Sequence, residues 1–109
     1  MVYPLYINGR WRTTARSRGV TNPYSGAVVH SVAQASVSDL AEAIEAARKA
    51  FEKTRRQSAH ERAALLDGVA REIELRREDF ARVITLETGK PITYSRIEAD
   101  RAIFTFRTA

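Results

Sequence analysis

The sequence predicts an α+β chain, strands first and helices after, and three observations carry that class. The first third holds short runs of tyrosine, isoleucine and valine punctuated by Asn8-Gly9 and by Asn22-Pro23-Tyr24-Ser25-Gly26. From Ser36 onward the apolar residues recur at helical spacing behind serine caps. No strand–helix–strand alternation links the two parts, so the pattern of this piece is α+β.

Asn8-Gly9 lies between Leu5-Tyr6-Ile7 and Arg10-Trp11-Arg12. Both turn residues tolerate positive φ, which predicts a two-residue hairpin. That register sets Ile7 opposite Arg10 and Tyr6 opposite Trp11, an aromatic cross-strand pair. Thr13 to Arg18 is polar and basic and reads as a loop. Asn22-Pro23-Tyr24-Ser25-Gly26 reads as a turn, with proline presetting φ and glycine releasing the chain. Ala27 to Ala33, with Val28, Val29 and Val32, reads as a third strand. Residues 1–34 are therefore expected to form a β-meander and residues 36–109 a helical segment.

Ser36-Val37-Ser38-Asp39 supplies a capping-box start, and Val37, Leu40, Ala41, Ile44, Ala47 and Phe51 follow on one face. Thr54 to Gln57 breaks that pattern. Ser58-Ala59-His60-Glu61 opens a second capped helix, whose stripe runs through Leu66, Val69, Ile73 and Phe80 with a break near Arg76 to Glu78. Val83, Ile84 and Leu86 complete that face, and Gly89 with Pro91 two residues on is a stop signal. The last helix starts near Ile92 and places Ala99, Ala102, Ile103 and Phe106 on one side. Each helix has an apolar stripe, and so few strands offer little apolar surface in return.

A chain of 109 residues with 44% hydrophobic and 28% charged residues fits one ordinary globular domain. It has no cysteine, which removes disulfides, thiolate metal sites and a thiol nucleophile from these residues. The amino terminus lacks the basic and apolar regions of a secretory signal, and no apolar run approaches the roughly 20 residues that span a bilayer. A cytoplasmic protein without membrane contact is expected.

The net charge of +5 raises a polyanion as partner. The bases are, however, interleaved with acids at the favourable four-residue spacing: Glu45 with Lys49, Glu52 with Arg56, Glu72 with Arg76 and Glu78 with Arg82. Lys53, Arg55 and Arg56 cluster at a helix end, where cations complement the macrodipole. Solvated helix faces are the favoured reading over nucleic-acid binding.

No constellation of catalytic groups is visible. His30 lies in a strand without an acid nearby in sequence, and His60 lies in the first turn of a helix. Glu98 and Asp100 are two apart and point to different helix faces, which argues against a paired acid and base. Glu87-Thr88-Gly89-Lys90 lacks the longer glycine-bearing run of a phosphate loop, and Pro91 follows where serine or threonine is needed. It reads as a helix C-cap with a cation on the last carbonyls. Tyr3, Tyr6 and Trp11 read as hairpin core or interface residues ahead of base-stacking ones. There is no glycine-rich dinucleotide fingerprint and no metal-ligand cluster.

Six islands in register carry a resemblance. They are Tyr6-Ile7-Asn8-Gly9-Arg10-Trp11; Asn22-Pro23-Tyr24-Ser25-Gly26 with Val32-Ala33; Asp39-Leu40-Ala41-Glu42-Ala43-Ile44 running into Ala46-Ala47-Arg48-Lys49-Ala50-Phe51; Arg62 with Leu65-Leu66; Glu87-Thr88-Gly89-Lys90-Pro91; and Glu98-Ala99-Asp100-Arg101-Ala102-Ile103. Over nearly its whole length the chain resembles the amino-terminal part of an aldehyde dehydrogenase superfamily subunit. One departure is Thr54-Arg55-Arg56-Gln57, where many members carry a tryptophan.

The resemblance implies a parent of several hundred residues that oxidises an aldehyde with NAD or NADP, to a carboxylic acid or, in some branches, an acyl thioester. A downstream cysteine attacks the carbonyl, hydride passes to the nicotinamide, and a downstream glutamate activates water. None of those residues lies in 1–109, so no catalytic or cofactor-binding residue is assigned, and the chain alone is expected to bind no cofactor. Its implied role is scaffold: residues 1–109 form the amino-terminal part of an α/β, Rossmann-like NAD(P)-binding domain and cover a sheet built by later residues. The resemblance also implies a homodimeric or homotetrameric parent. It carries over a monovalent cation on Val20, Thr21 and Asp100, by backbone oxygens and a carboxylate. The alternatives are a stand-alone interaction module, whose stripes close on themselves or on a second copy, and a small basic nucleic-acid-binding domain.

Overall fold

The computed structural model describes all residues, 1–109. Its elements run β1 (Val2–Tyr3), β2 (Leu5–Ile7), β3 (Arg10–Arg12), β4 (Ser17–Thr21), β5 (Val28–Ala33), α1 (Val37–Thr54), α2 (Ala59–Leu75), α3 (Arg77–Thr88) and α4 (Ile92–Thr108). The order of strands then helices is as the sequence predicts. The chain divides into two compact units, one of residues 1–21 with 27–56, the other of residues 22–26 with 57–109.

In the first unit, β2 and β3 form the expected hairpin in the expected register, Ile7 opposite Arg10 and Tyr6 opposite Trp11. Asn8 and Gly9 take φ of 50° and 75°, the double left-handed turn that matches strand twist. The Tyr6 and Trp11 rings meet at 4.8 Å between centroids. A continuous meander is not what the other strands make. They form a mixed sheet in the order β1-β5-β4, with β1 parallel and β4 antiparallel to β5. The expected loop at residues 13–18 gives way to β4 from Ser17 onward. That strand is an edge, mostly exposed, and so carries arginine and glycine without an alternating apolar face. A register shift falls between Val20 and Thr21.

Helix α1 begins at the predicted capping box. The Ser36 side chain accepts from the Asp39 amide, and the Asp39 carboxylate accepts from the Ser36 amide at 2.8 Å. Arg12 ties the hairpin to this helix. Its Nη1 and Nη2 donate to the two Glu42 carboxylate oxygens at 2.8 Å each, and Nη1 also reaches Asp39 at 2.9 Å. The predicted stripe of α1 is left largely open, and no residue of the helix is fully buried. Val37 is 85% exposed, Leu40 58%, Ile44 61% and Phe51 59%. Ala43, Ala46, Ala47 and Ala50 line a shallow groove with Tyr6 and Asn8 of the hairpin.

In the second unit, α4 packs on both α2 and α3. The core is small: Ala70 and Ile73 of α2 with Ile103 of α4, flanked by Phe106; Ala81 of α3 and Ala99 of α4 are buried as well. α2 starts at the second capping box, with Ser58 and Glu61 exchanging bonds as predicted. The predicted break falls at Arg76, whose φ of −109° and ψ of 22° separate α2 from α3. α3 ends at Gly89 in the left-handed region, φ 72°, as its stop signal requires.

Of the predicted i,i+4 pairs, Glu45–Lys49 and Glu72–Arg76 form. Glu52 pairs with Arg55 rather than Arg56. Glu78 turns to Arg77 and Arg96, leaving Arg82, because α4 brings a guanidinium across from a neighbouring helix. Lys90 bonds Glu98 instead of the last α3 carbonyls. No helix is long and apolar enough to cross a membrane.

Candidate functional site

The most fully built polar arrangement in the second unit centres on Asn22. An asparagine before proline readily bonds the backbone two and three residues on. Here its Oδ1 accepts from the Tyr24 and Ser25 amides at 2.9 Å each, and its own carbonyl accepts from Gly26 at 2.9 Å. Its Nδ2 donates to the Leu86 carbonyl at 2.7 Å, one of the acceptors that the end of α3 leaves without a helical partner. Gly89 lies against the same turn. A Cβ there would sit 3.3 Å from Pro23 Cγ and 3.3 Å from Tyr24 Cβ. Two islands that the sequence shows far apart, Asn22–Gly26 and Glu87–Pro91, are thus neighbours.

A second polar set joins α3 and α4. Arg77 grips the Asp100 carboxylate with two nitrogens, Nη2 at 2.7 Å from Oδ2 and Nε at 2.5 Å from Oδ1. That guanidinium holds the Asp100 carboxyl below the usual aspartate range. Arg96 likewise holds Glu78 low. These groups are solvated, so they orient surfaces more than they stabilise the fold.

Val20 is half-buried and Thr21 exposed, both in β4 beside its register shift. Asp100 is on α4, engaged by Arg77. A cation at Asp100 must share that carboxylate with the guanidinium or displace it. Glu98 and Asp100 diverge, the first toward Lys90 and the second toward Arg77. His30 packs edge-on against Tyr3 at 5.4 Å between centroids, and its buried Nε2 has no hydrogen-bond partner. His60 is exposed on α2. No group of three or more His, Cys, Asp or Glu side chains is placed to hold a metal ion.

The structure gathers no nucleophile, base and oxyanion donor at one point. A groove of about 310 Å³ in the first unit is lined by Arg12, Thr14, Arg16, Gln34 and Asp39, and one of about 300 Å³ in the second by Arg76, Asp79, Phe80 and Val83. Sequence reading missed the Asn22–Leu86 and Arg77–Asp100 bonds, because neither pairing has a local signal.

The residues form capped helices, a small mixed sheet and polar ties, with large apolar side chains left exposed. Residues 11–109 match the aldehyde dehydrogenase family, and the chain belongs to that family. It is 31% identical over 105 residues to a lactaldehyde dehydrogenase of Methanocaldococcus jannaschii, covering 96% of this chain and 22% of that protein. It is 35% identical to a 3-sulfolactaldehyde dehydrogenase of Priestia megaterium, with the same two coverages. Among solved structures it is similar to betaine aldehyde dehydrogenase of Staphylococcus aureus in complex with NAD+, with a TM-score of 0.89 and 33% identity over 95% of this chain and 22% of that one. The chain therefore spans about a fifth of the length of the relatives it matches, and its fold is an amino-terminal part of theirs.

Proposed function

We propose that this chain is a scaffold segment of an NAD(P)-dependent aldehyde dehydrogenase, catalytically inert by itself. The observation that carries the proposal is the match itself: one family from residue 11 to residue 109, at a fifth of the relatives' length. The open faces support it. α1 turns Val37, Leu40, Ile44 and Phe51 to solvent, and α4, already packed on one side, exposes Tyr94, Ile97 and Phe104 on the other. A helix apolar on two sides belongs between two layers. In the parent, the later chain supplies the second layer and residues 1–109 form part of its NAD(P)-binding domain.

In that parent a bound nicotinamide would supply the hydride acceptor for aldehyde oxidation. With no cysteine here, the nucleophile has to come from beyond residue 109. The residues of this chain shape and support. The carry-over of a monovalent cation to Val20, Thr21 and Asp100 stays part of this reading, and Asp100 brings to it a carboxylate that Arg77 already holds. A cytoplasmic homodimer or homotetramer is the assembly proposed for the parent.

The test is the mass of the native polypeptide, detected with antibody against this segment, followed by an NAD(P)H-absorbance assay with aldehydes. A subunit several times heavier than 12.3 kDa that oxidises aldehyde, beside no turnover from the 109-residue chain, is the expected result. A native mass of 12.3 kDa removes the reading.

A further inference from the structure

Asn22 has two jobs that local chemistry alone does not join. Its Oδ1 folds its own turn, which any Asn-Pro sequence favours. Its Nδ2 reaches Leu86, 64 residues on, and needs the end of α3 to be in place. Gly89 closes the same contact from the other side, at a distance where a methyl group would press on Pro23 and Tyr24. The Gly89 amide in turn bonds Thr85 at 2.9 Å, within the last turn of α3.

We propose that Asn22 and Gly89 form a latch that makes the Asn22–Gly26 turn and the last turn of α3 open and close as one unit. Loosening either side then loosens the other by the same factor, since coupling between two local equilibria is reciprocal. The latch stands on this geometry and does not depend on the parent's activity.

Native-state amide exchange on the native polypeptide that carries this segment tests it, with three variants. In Gly89→Ala the acceptor for the Tyr24 and Ser25 amides is intact, yet both are expected to exchange about tenfold faster because the turn is pushed off α3. Asn22→Asp keeps oxygens for those two amides but has no donor for Leu86, and the Gly89 amide is expected to exchange about tenfold faster. Gly9→Ala is the control. It introduces the same left-handed strain at φ 75°, with only Tyr6 Oη near, at 4.0 Å, and is expected to leave all three amides unchanged. Unchanged Tyr24 and Ser25 exchange in Gly89→Ala overturns the latch, as does an equal effect of Gly9→Ala. Should Gly89→Ala fail to fold, Asn22→Asp decides alone, and unchanged Gly89 protection overturns the proposal.

Discussion

Thr85 Oγ1 of α3 donates a 2.8 Å hydrogen bond to Ser95 Oγ of α4, and Ser95 is fully buried. This hydroxyl pair joins α3 to α4, two helices that pack on each other. Thr85→Val should cost about 1–2 kcal/mol, the scale of a buried polar group left unsatisfied. Ser95→Ala should cost less, and the double variant should lie closer to the parent sequence than Thr85→Val alone. Urea unfolding of the four chains checks the order; a double variant weaker than either single one would refute it.

The two capping boxes are local devices and should act independently. The Glu61 amide donates to Ser58 Oγ at 3.2 Å, and the Ser58 amide donates to Glu61 Oε2 at 2.7 Å. Ser58→Ala should lower stability by about 1 kcal/mol. Ser36→Ala should do the same in the other unit, with losses that add in the double variant. Thermal unfolding followed by circular dichroism is the measurement.

The Ser36 hydroxyl, the Ser36 amide and Arg12 together hold the Asp39 carboxyl at about 2, below its ordinary 3.8. A carboxyl depressed by folding contributes stability that is complete above its unfolded value and is lost as pH falls through its folded value. The melting temperature should therefore decline from near pH 3.8 down to about 2. Asp39→Asn should flatten this limb without abolishing it, because Glu42, Glu61, Glu78 and Asp100 are lowered as well. An unaltered acid limb in Asp39→Asn would show that the Ser36–Asp39 bonds do not form in solution.

Exposed and packed faces should answer substitution differently. Ile44→Glu, on the open face of α1, should change stability by no more than about 0.5 kcal/mol and reduce binding of the dye ANS. Ile103→Ala, in the small core, should cost about 2–4 kcal/mol. Equal losses from the two variants would mean that the α1 stripe is packed after all.

Most elements were legible because their causes are local. Asn8-Gly9 specifies its turn through positive φ at both residues, and Ser36-Asp39 and Ser58-Glu61 specify helix starts within four residues. Gly89 ends α3 for the same kind of reason. β4 was not legible, since an exposed edge strand such as Ser17–Thr21 keeps no alternation to read. The i,i+4 rule placed Glu78 with Arg82, but the rule sees one helix, and Arg96 arrives from another.

What the sequence by itself determined is most of the inventory: the hairpin, β5, the four helices with their caps and stops, the resemblance to one family and the absence of a cysteine. Each follows from residues near one another in the chain, or from residue type alone. Tertiary structure alone decided which faces meet. The stripe of α1 reads as a core face but is left largely exposed, and the tie between the hairpin and the helix is the Arg12–Glu42 pair, which no local pattern announces. Asn22 reads as a turn former and proves also to cap a helix that begins 55 residues later, at Arg77. Hydrophobic periodicity says that a face will be buried and not by what, since burial is non-directional. The partner is chosen by geometry that only the folded chain supplies.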